Sequence, residues 1–268
     1  MNKRIGFIGC GKMASAIIGG VLASNYVPTS SICASEVSQE TAKEKSEKLG
    51  IEVITDNIEL VKHSDVVFVA TTPNYVESVL NEIKNVVVSD KLIVSIAAGV
   101  TTNFIQNILP QNTRVVRVMP NTPALICEGM SGIAKGQNAT DNDVEFVQNL
   151  LSNIGKCIIV DESQIDIVTA ISGSGPAFYY KVINEIARAG EALGMDYEKA
   201  LTLSIQTAIG SAKMLLNSDK TAEELIASVA TKGGCTRVGV DFMEEENTKN
   251  LFFNLIDKTR EKAKALGK

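Results

Sequence analysis

A glycine-rich segment near the start of the chain is the first feature whose residue types and spacing indicate chemistry. Gly9, Gly11 and Ala14 fit the pattern Gly-x-Gly-x-x-Gly/Ala, which allows a tight turn, close approach of a pyrophosphate and close helix packing. A helix that begins at Lys12 would direct unpaired backbone N–H groups toward the phosphates. Glu36 ends the next apolar run, where the ribose of a dinucleotide is recognised. The sequence therefore predicts a dinucleotide site.

Ser35 and Glu36, at the end of the second predicted strand, bear on which dinucleotide binds. The acid Glu36 favours the free 2′-hydroxyl of NAD, whereas Ser35 and backbone groups suit the 2′-phosphate of NADP. No arginine lies between Ala34 and Lys43 to pair with that phosphate. The residues alone leave both dinucleotides open.

Three further loops follow the ends of predicted strands. They are Ala70–Pro73, Ser95–Gly99 and Met119–Ala124. Open α/β sheets bind ligands at the carboxyl ends of their strands, so each loop is a candidate contact with the dinucleotide. The alternative for each is an ordinary turn built from proline and small residues.

Two glycine-rich segments in the second half of the chain precede predicted helices. Ser172–Ala177 and Lys232–Thr236 are predicted as flexible turns at helix N-termini, where backbone N–H groups suit an anion such as a substrate carboxylate. Either segment alone would also serve as a plain helix entry. Two of them after a dinucleotide domain favour a substrate cleft.

The histidine and cysteine content excludes several kinds of active site. His63 is the only histidine, and its position between a helix and a strand predicts a cation at a helix C-terminus. A Ser-His-Asp triad, a histidine that acts as the acid in hydride transfer and a histidine-rich metal site are therefore excluded. The five cysteines form no Cys-x-x-Cys pair and no disulfide framework, and we interpret them as small core residues. No metal site is predicted.

Short apolar runs alternate with helical periods and predict the elements that position these residues. Separated mostly by helices, strands are predicted at Arg4–Ile8, Ser31–Ser35, Val66–Ala70, Leu92–Ile96, Val115–Met119 and Cys157–Val160. Their continuous apolar character indicates a parallel sheet buried on both faces. Beyond about residue 162 only long helical periods remain. We predict an α/β fold, with a Rossmann-type dinucleotide-binding domain at residues 1–162 and an all-helical domain at residues 163–268.

Composition and charge restrict the partners of the chain. The 268 residues are 45% hydrophobic and carry a formal charge of −5, so a dedicated nucleic-acid binder is disfavoured. No run reaches the ~18 apolar residues of a membrane helix, and no signal peptide precedes the first strand. We expect a cytoplasmic protein that binds no membrane.

The helix predicted at Tyr197–Leu216 is apolar around much of its circumference. A helix of this kind is buried, and a helical domain of about 100 residues has few partners with which to cover it. We therefore expect the helix to pack against its counterpart in a second subunit, which makes the protein at least a dimer.

Five segments together make the chain resemble the pyrroline-5-carboxylate reductase family over nearly its whole length. They are Gly6–Met13, Ser95–Val100, Met119–Ala124, Ser172–Ala177 and Ala212–Leu215, with a C-terminal signature at 229–244 around Gly233–Thr236 as the most specific element. The resemblance implies reduction of 1-pyrroline-5-carboxylate to L-proline by NADPH or NADH, in a homodimer or larger homo-oligomer and without a metal.

The resemblance also implies roles for individual residues. On the dinucleotide it places Ile8, Gly9, Cys10, Gly11, Lys12 and Met13 at the pyrophosphate, Ser35, Glu36 and Asn57 near the adenosine ribose, and Ala70, Thr71, Thr72, Pro73, Ile96, Ala97 and Ala98 at the nicotinamide side. On the substrate it places Glu162, Gly234, Cys235 and Thr236. The Thr236 hydroxyl would hydrogen-bond the ring nitrogen, which makes Thr236 the expected catalytic residue.

The chain departs from the family pattern at three places. Thr231-Lys232 stands where Ser-Pro is usual, Cys235 where threonine or alanine is frequent, and Thr71-Thr72-Pro73 where Val-Lys-Pro is common. These departures affect the expected cofactor preference and turnover more than the expected reaction.

Two other functions are weighed against this one. A β-hydroxyacid dehydrogenase would use a lysine four positions after a Gly-x-Gly pair, but Tyr179 stands there and Lys181 comes two residues later, on another side of the helix. A regulator would bind the dinucleotide without turnover. Failure to oxidise NAD(P)H with the imine acid would indicate that regulator.

Overall fold

The computed structural model describes residues 3–267. Its strands are β1 (Ile5–Ile8), β2 (Ile32–Ser35), β3 (Glu52–Ile54), β4 (Val66–Val69), β5 (Leu92–Ser95), β6 (Arg114–Met119), β7 (Gly129–Lys135) and β8 (Gly155–Ile159). Its α-helices are α1 (Lys12–Ala23), α2 (Gln39–Leu49), α3 (Asn57–Lys62), α4 (Pro73–Ile83), α5 (Thr102–Ile108), α6 (Asp141–Leu151), α7 (Ile165–Val168), α8 (Gly175–Ala192), α9 (Tyr197–Leu216), α10 (Ala222–Val229), α11 (Cys235–Glu245) and α12 (Thr248–Ala265).

The strands form one sheet in the order β3-β2-β1-β4-β5-β6-β7-β8. All neighbouring strands are parallel except β6 and β7. Every residue of β1, β4 and β5 is buried, as expected for strands covered by helices on both faces. Phe7 and Phe68 are register partners on β1 and β4, and their rings stack with centroids 4.6 Å apart. The predicted Rossmann-type sheet is confirmed.

The chain order reverses direction across the sheet between β1 and β4. From β1 it proceeds outward through β2 and β3, and then returns to β4 on the other side of β1. Open α/β sheets bind ligands at such a switch point, beyond the carboxyl ends of the strands. The loops that begin at Gly9 and Ala70 both lie there.

Two strands of the sheet were not predicted from the sequence. Strand β3 is a three-residue edge strand with an exposed Glu52, which is too short to produce a pattern. Strand β7 contains Gly129 and Gly132 instead of a β-branched run, so its residues have low strand propensity. Glycine is required at position 129 because the backbone around Gly155 approaches closely. A Cβ on Gly129 would lie 2.8 Å from the Ile154 carbonyl oxygen.

The chain divides into two structural units, each described by itself. Unit 1 comprises the chain up to Ser174 together with the residues from Thr259 onward, and unit 2 comprises Gly175–Lys258. Unit 1 contains the whole sheet and its two apolar core layers, one on each face. The division therefore falls later than the predicted boundary after residue 162, and it assigns the end of α12 to unit 1.

Unit 2 is helical throughout, as predicted. Helices α8 and α9 are joined by a turn in which Gly194 has a φ of +99°. The Ser204 hydroxyl of α9 donates to the Ile183 carbonyl of α8 and joins the two helices. Within residues 3–267, none of the helices is both long and apolar enough to cross a membrane.

Candidate functional site

The glycine-rich loop after β1 has the geometry of a phosphate-binding turn. Gly9 has a φ of +88°, a conformation that residues with a side chain rarely adopt, and its N–H donates to the Ser35 carbonyl at 3.1 Å. A Cβ at Gly9 would lie 3.1 Å from the Ala70 carbonyl oxygen. Glycine at this position therefore allows the β1 and β4 loops to approach each other.

Gly11 leaves an open space at the start of α1. It is the N-cap residue, has no side chain to cap the helix, and a Cβ built on it meets no protein atom within 4 Å. Lys12 and Met13 form the first turn, whose N–H groups have no partner within the helix. This arrangement places donors around a space that no side chain fills, and it fits a dinucleotide pyrophosphate. Ile8 and Cys10, on either side of Gly9, are buried.

Glu36 folds back over the same loop. Its Oε1 accepts a hydrogen bond from the Cys10 N–H at 3.0 Å, and its own N–H donates to the Ile54 carbonyl at 2.9 Å. The carboxylate is thus fixed beside the glycine-rich turn. Val37, the next residue, is 96% exposed.

A chain of hydrogen bonds extends outward from the end of β2. The buried Ser35 hydroxyl donates to Oδ1 of Asn57 at 2.6 Å, and Nδ2 of Asn57 donates to Glu82 at 2.9 Å. Sequence analysis singled out Ser35 and Asn57 but missed Glu82. Its contact joins residues 25 positions apart, and no local pattern indicates it.

The loop after β4 contains an unpartnered polar atom. Thr71 Oγ1 is the one buried side-chain oxygen or nitrogen among the described residues that has no hydrogen-bond partner. Thr72 is the N-cap of α4 and Pro73 is its first residue. Buried hydroxyls without a protein partner are rare in folded proteins, and a dinucleotide bound at the switch point would offer this one a partner.

The loop after β5 is held close to the same edge. The Ile96 N–H donates to the Val69 carbonyl at 3.2 Å, and the Ala97 N–H donates to the Ser95 hydroxyl at 3.4 Å. Ala98 follows, partly exposed. The structure therefore brings together, at the carboxyl edge of β2, β1, β4 and β5, the residues predicted to bind the dinucleotide.

Glu162 is held by partners that sequence analysis did not find. Its carboxylate accepts hydrogen bonds from the Thr102 N–H at 2.6 Å and the Thr102 hydroxyl at 2.5 Å, and Arg117 Nη1 lies 3.5 Å away. Arg117 also reaches Asp166 at 3.5 Å. An arginine within the buried apolar run of β6 was the available signal, because a buried guanidinium requires a carboxylate partner.

The segment predicted as a flexible turn before α8 has a different structure. Thr169–Gly173 forms a turn of π-helix, and the Ser174 N–H donates to the Thr169 carbonyl at 2.8 Å. Asn121 fixes this turn by donating to the Ser172 carbonyl and hydroxyl. The prediction of a flexible, donor-rich turn at Ser172–Ala177 is therefore wrong, because helical hydrogen bonding continues up to Ser174.

The predicted turn before α11 has the expected form. Gly233 has a φ of +81°, Gly234 is the N-cap without a side-chain cap, and Cys235 and Thr236 are the first two helical residues. Both are exposed, and α-helix geometry leaves their N–H groups without an intrahelical partner. Thr236 is the second residue of α11 and does not cap it, so a purely capping role for its hydroxyl is excluded.

The histidine and the cysteines have structural environments. His63 is the C-cap of α3, as predicted, with Nδ1 3.2 Å from a Glu59 carboxylate oxygen. Burial raises the pKa of the thiols of Cys10, Cys33 and Cys157, as expected for core residues. Cys127 and Cys235 are exposed, so the prediction of core residues is wrong for these two. In residues 3–267 we find no group of three or more His, Cys, Asp or Glu side chains arranged to hold a metal ion.

A glycine-rich turn at the switch point of a Rossmann-type sheet, followed by a helical unit, is typical of NAD(P)H-dependent oxidoreductases. Family models agree: residues 4–99 match "NADP oxidoreductase coenzyme F420-dependent", and residues 162–266 match "Pyrroline-5-carboxylate reductase dimerisation".

Relatives and solved structures match the whole chain. It is 42% identical to pyrroline-5-carboxylate reductase of Methanosarcina acetivorans, over 100% of this chain and 99% of that protein, and 37% identical to that of Arabidopsis thaliana, over 94% and 91%. A pyrroline-5-carboxylate reductase structure from Coxiella burnetii matches with a TM-score of 0.94 at 31% identity, over 100% of both chains. A Plasmodium falciparum pyrroline carboxylate reductase with NADP bound matches with a TM-score of 0.89 at 31% identity, over 100% and 99%. The chain belongs to the pyrroline-5-carboxylate reductase family.

Proposed function

We propose that this chain catalyses the reduction of 1-pyrroline-5-carboxylate to L-proline, with NADPH or NADH as the reductant. The observation that carries the proposal is the match of the entire chain to relatives with this activity in their names. The open cradle at Gly11 and the helix start at Cys235 support it, because the reaction requires a dinucleotide and an anionic substrate.

The chemistry requires orientation more than proton transfer by a strong acid. A bound reduced nicotinamide supplies the hydride, whose electron pair forms the new C–H bond while the C=N π pair passes to nitrogen. A protonated cyclic imine is already electrophilic, so the protein must chiefly align substrate and dinucleotide. This need is consistent with a chain whose single histidine caps a helix.

The start of α11 supplies groups suited to the substrate. The N–H groups of Cys235 and Thr236 are available to a carboxylate, and the positive end of the helix dipole favours the same anion. Gly234, the N-cap, has no side chain that could bond to these groups in place of a ligand. The exposed Thr236 hydroxyl is the group we assign to hydrogen bonding with the ring nitrogen.

Glu162 is proposed as a second substrate-binding residue, in a fixed orientation. Both carboxylate oxygens accept hydrogen bonds from Thr102, and the one guanidinium nearby, that of Arg117, is shared between Glu162 and Asp166, so the two carboxylates are not fully neutralised. A carboxylate held in this way stabilises a nearby cationic imine without moving. Its negative charge is the feature that supports the assignment.

We infer that the protein works as a homodimer or a larger homo-oligomer. Helices α8 and α9 expose a set of large apolar side chains, which includes Tyr179, Ile186, Leu203 and Leu215. Exposed apolar patches of this kind mark protein interfaces, and the family model that matches this segment is named for dimerisation. The matching apolar face of a second copy is the partner we propose.

We also infer a cytoplasmic location. All five cysteines are free thiols, and Cys10, Cys33 and Cys157 are fully or partly buried within unit 1. Proteins of oxidising compartments commonly use such residues in disulfides.

Purified protein tests the proposal directly. Oxidation of NADPH and of NADH is followed with and without 1-pyrroline-5-carboxylate, and the product is identified as proline by chromatography. If the protein binds the dinucleotide but the imine acid does not stimulate NAD(P)H oxidation, the protein is instead the regulator. If NAD(P)H is oxidised only with the keto acid that corresponds to a β-hydroxy acid, the protein is the dehydrogenase.

A further inference from the structure

We propose that Glu36 makes this protein selective for NADH over NADPH, by occupying the place and the donor that a ribose 2′-phosphate would need. The inference rests on the proposed function in one respect, because it assumes that the site at the β1 loop binds a nicotinamide dinucleotide. It concerns the adenosine end of that ligand, and nucleotide binding alone tests it.

The first step is the position of the carboxylate. Glu36 follows the last residue of β2, and its backbone N–H is fixed to the Ile54 carbonyl of β3 at 2.9 Å. Its Oε1 lies 3.0 Å from the Cys10 nitrogen, within the glycine-rich turn. Glu36 is therefore held by its backbone at one end and by its carboxylate at the other. An acidic residue at the end of this strand accepts hydrogen bonds from the ribose hydroxyls of NAD.

The second step is the inventory of hydrogen-bond donors. A phosphate dianion only accepts hydrogen bonds, whereas a ribose hydroxyl also donates. The Cys10 N–H is already committed to Glu36, and the Ser35 hydroxyl to Asn57. One N–H of the Asn57 amide is committed to Glu82. The end of β2 thus offers chiefly acceptors, which suit the hydroxyl of NADH.

The third step is charge. Two carboxylates accept hydrogen bonds in this region, Glu36 from the Cys10 N–H and Glu82 from the Asn57 amide. On the flanking helices, the cations are Lys12 at the exposed start of α1 and Lys43, Lys45 and Lys48 on α2. None of them forms an ion pair with Glu36 within the described residues, and Lys43 pairs with Glu47 at 4.0 Å. A phosphomonoester carries nearly two negative charges near neutral pH, so it would be repelled by a carboxylate held in place.

Binding measurements on four proteins test this inference. Dissociation constants for NADH, NADPH, 5′-ADP and 2′,5′-ADP are measured by calorimetry on wild type, Glu36→Gln, Glu36→Ser and Glu145→Gln. Glu145 is exposed on α6, so Glu145→Gln makes the same chemical change away from the loop. The Glu36→Ser variant removes the carboxylate and frees the Cys10 N–H, and circular dichroism checks that each variant is folded.

We expect wild type and Glu145→Gln to bind NADH at least about tenfold more tightly than NADPH, and 5′-ADP more tightly than 2′,5′-ADP. In Glu36→Gln and Glu36→Ser this preference should fall about tenfold, mainly through tighter binding of the phosphorylated ligands. Wild type that binds NADPH as tightly as NADH, or an unchanged preference in both folded Glu36 variants, would overturn the inference while leaving the reductase proposal intact. Loss of all nucleotide binding in wild type would overturn both.

Discussion

Nη1 of Arg117 lies 3.5 Å from Oε1 of Glu162, and the arginine side chain is only 4% exposed. A buried guanidinium needs such a partner, because an uncompensated charge away from water is costly. The same carboxylate is bonded twice by Thr102. Glu162 therefore holds β6, α5 and the segment that follows β8 together.

This relationship predicts a stability effect at Glu162. Glu162→Ala removes an acceptor from both Arg117 and Thr102, and we expect it to lower the free energy of unfolding by about 1–3 kcal/mol. The measurement is urea unfolding, with Glu145→Ala, at an exposed position of α6, as the control. Equal stability of the two variants would contradict the structural role. The milder Glu162→Gln, if folded, should raise KM for the imine acid more than KM for the dinucleotide.

Gly11→Val is predicted to abolish dinucleotide binding. The Cβ of the added side chain would enter the open space where a pyrophosphate must approach the backbone, yet it meets no protein atom within 4 Å, so folding should be preserved. Gly19→Val is the matched control, since a Cβ there also meets nothing within 4 Å but lies on α1 beyond the loop. Nucleotide binding by calorimetry and the melting temperature are compared. Intact binding in Gly11→Val would refute the assignment of the cradle.

Thr236→Ala is predicted to be impaired but active. Loss of one hydrogen bond to substrate costs about 1–3 kcal/mol, which corresponds to roughly a 5- to 150-fold decrease in kcat/KM. Thr236→Ser should recover much of the rate, and dinucleotide affinity should stay unchanged. Because Thr236 is not the N-cap of α11, the melting temperature of the Thr236→Ala variant should also stay close to that of wild type. A large fall in melting temperature with full turnover would contradict this prediction.

Leu203→Glu is predicted to dissociate the oligomer. Leu203 lies on the apolar face of α9 and is 58% exposed in the single chain, so a carboxylate there would be buried without a partner in the proposed interface. The control is Val88→Glu, which places the same charge at an apolar residue of unit 1 that is exposed to a similar degree. Sedimentation equilibrium measures the oligomeric state of both variants. An active wild-type monomer would exclude the proposed dimer.

The lowered pKa of the Asp143 carboxyl predicts that the stability of the protein depends on pH. Burial raises the pKa of this carboxyl, but hydrogen bonds from Thr140 and the Arg114 guanidinium outweigh burial and hold the pKa below its ordinary value of 3.8. The stability it contributes is therefore present above the unfolded-state pKa and lost as pH falls through the lower folded-state value.

Asp143→Asn should accordingly destabilise the protein at pH 7 by about 1–2 kcal/mol and show a smaller decrease in stability below pH ~4. Urea midpoints from pH 7 to acid provide the measurement. Asp141→Asn, in the same first turn but exposed, should follow wild type. A constant difference between Asp143→Asn and wild type at every pH would contradict the assignment.

The elements that were predictable from the sequence are those with strong local patterns. Buried runs such as Val66–Val69 and the Gly9–Gly11 turn have apolar continuity or a fixed spacing, and both were located correctly. Strand β7 was missed because its strand geometry depends on pairing with β6 and β8 instead of on propensity. Pairing partners distant in the chain leave no local pattern.

The same limit applied to the candidate site. The position of Glu36 was predictable because it follows a strand, but its hydrogen bond to Cys10 was not. The contact of Glu162 with Thr102 joins residues 60 positions apart. The π turn at Thr169–Gly173 depends on Asn121, which lies in another loop, so its glycine and serine content alone suggested a flexible turn.

The division of unit 1 into two separate stretches of chain has a consequence for biosynthesis. The sheet is complete once β8 has emerged from the ribosome, yet the segment from Thr259 onward, which includes Leu266 against Gly99, is synthesised only after all of unit 2. Domains generally fold in the order in which they are translated. The sheet of unit 1 therefore begins to fold without the packing of Leu266 against Gly99, which becomes possible only after the whole of unit 2 has been synthesised.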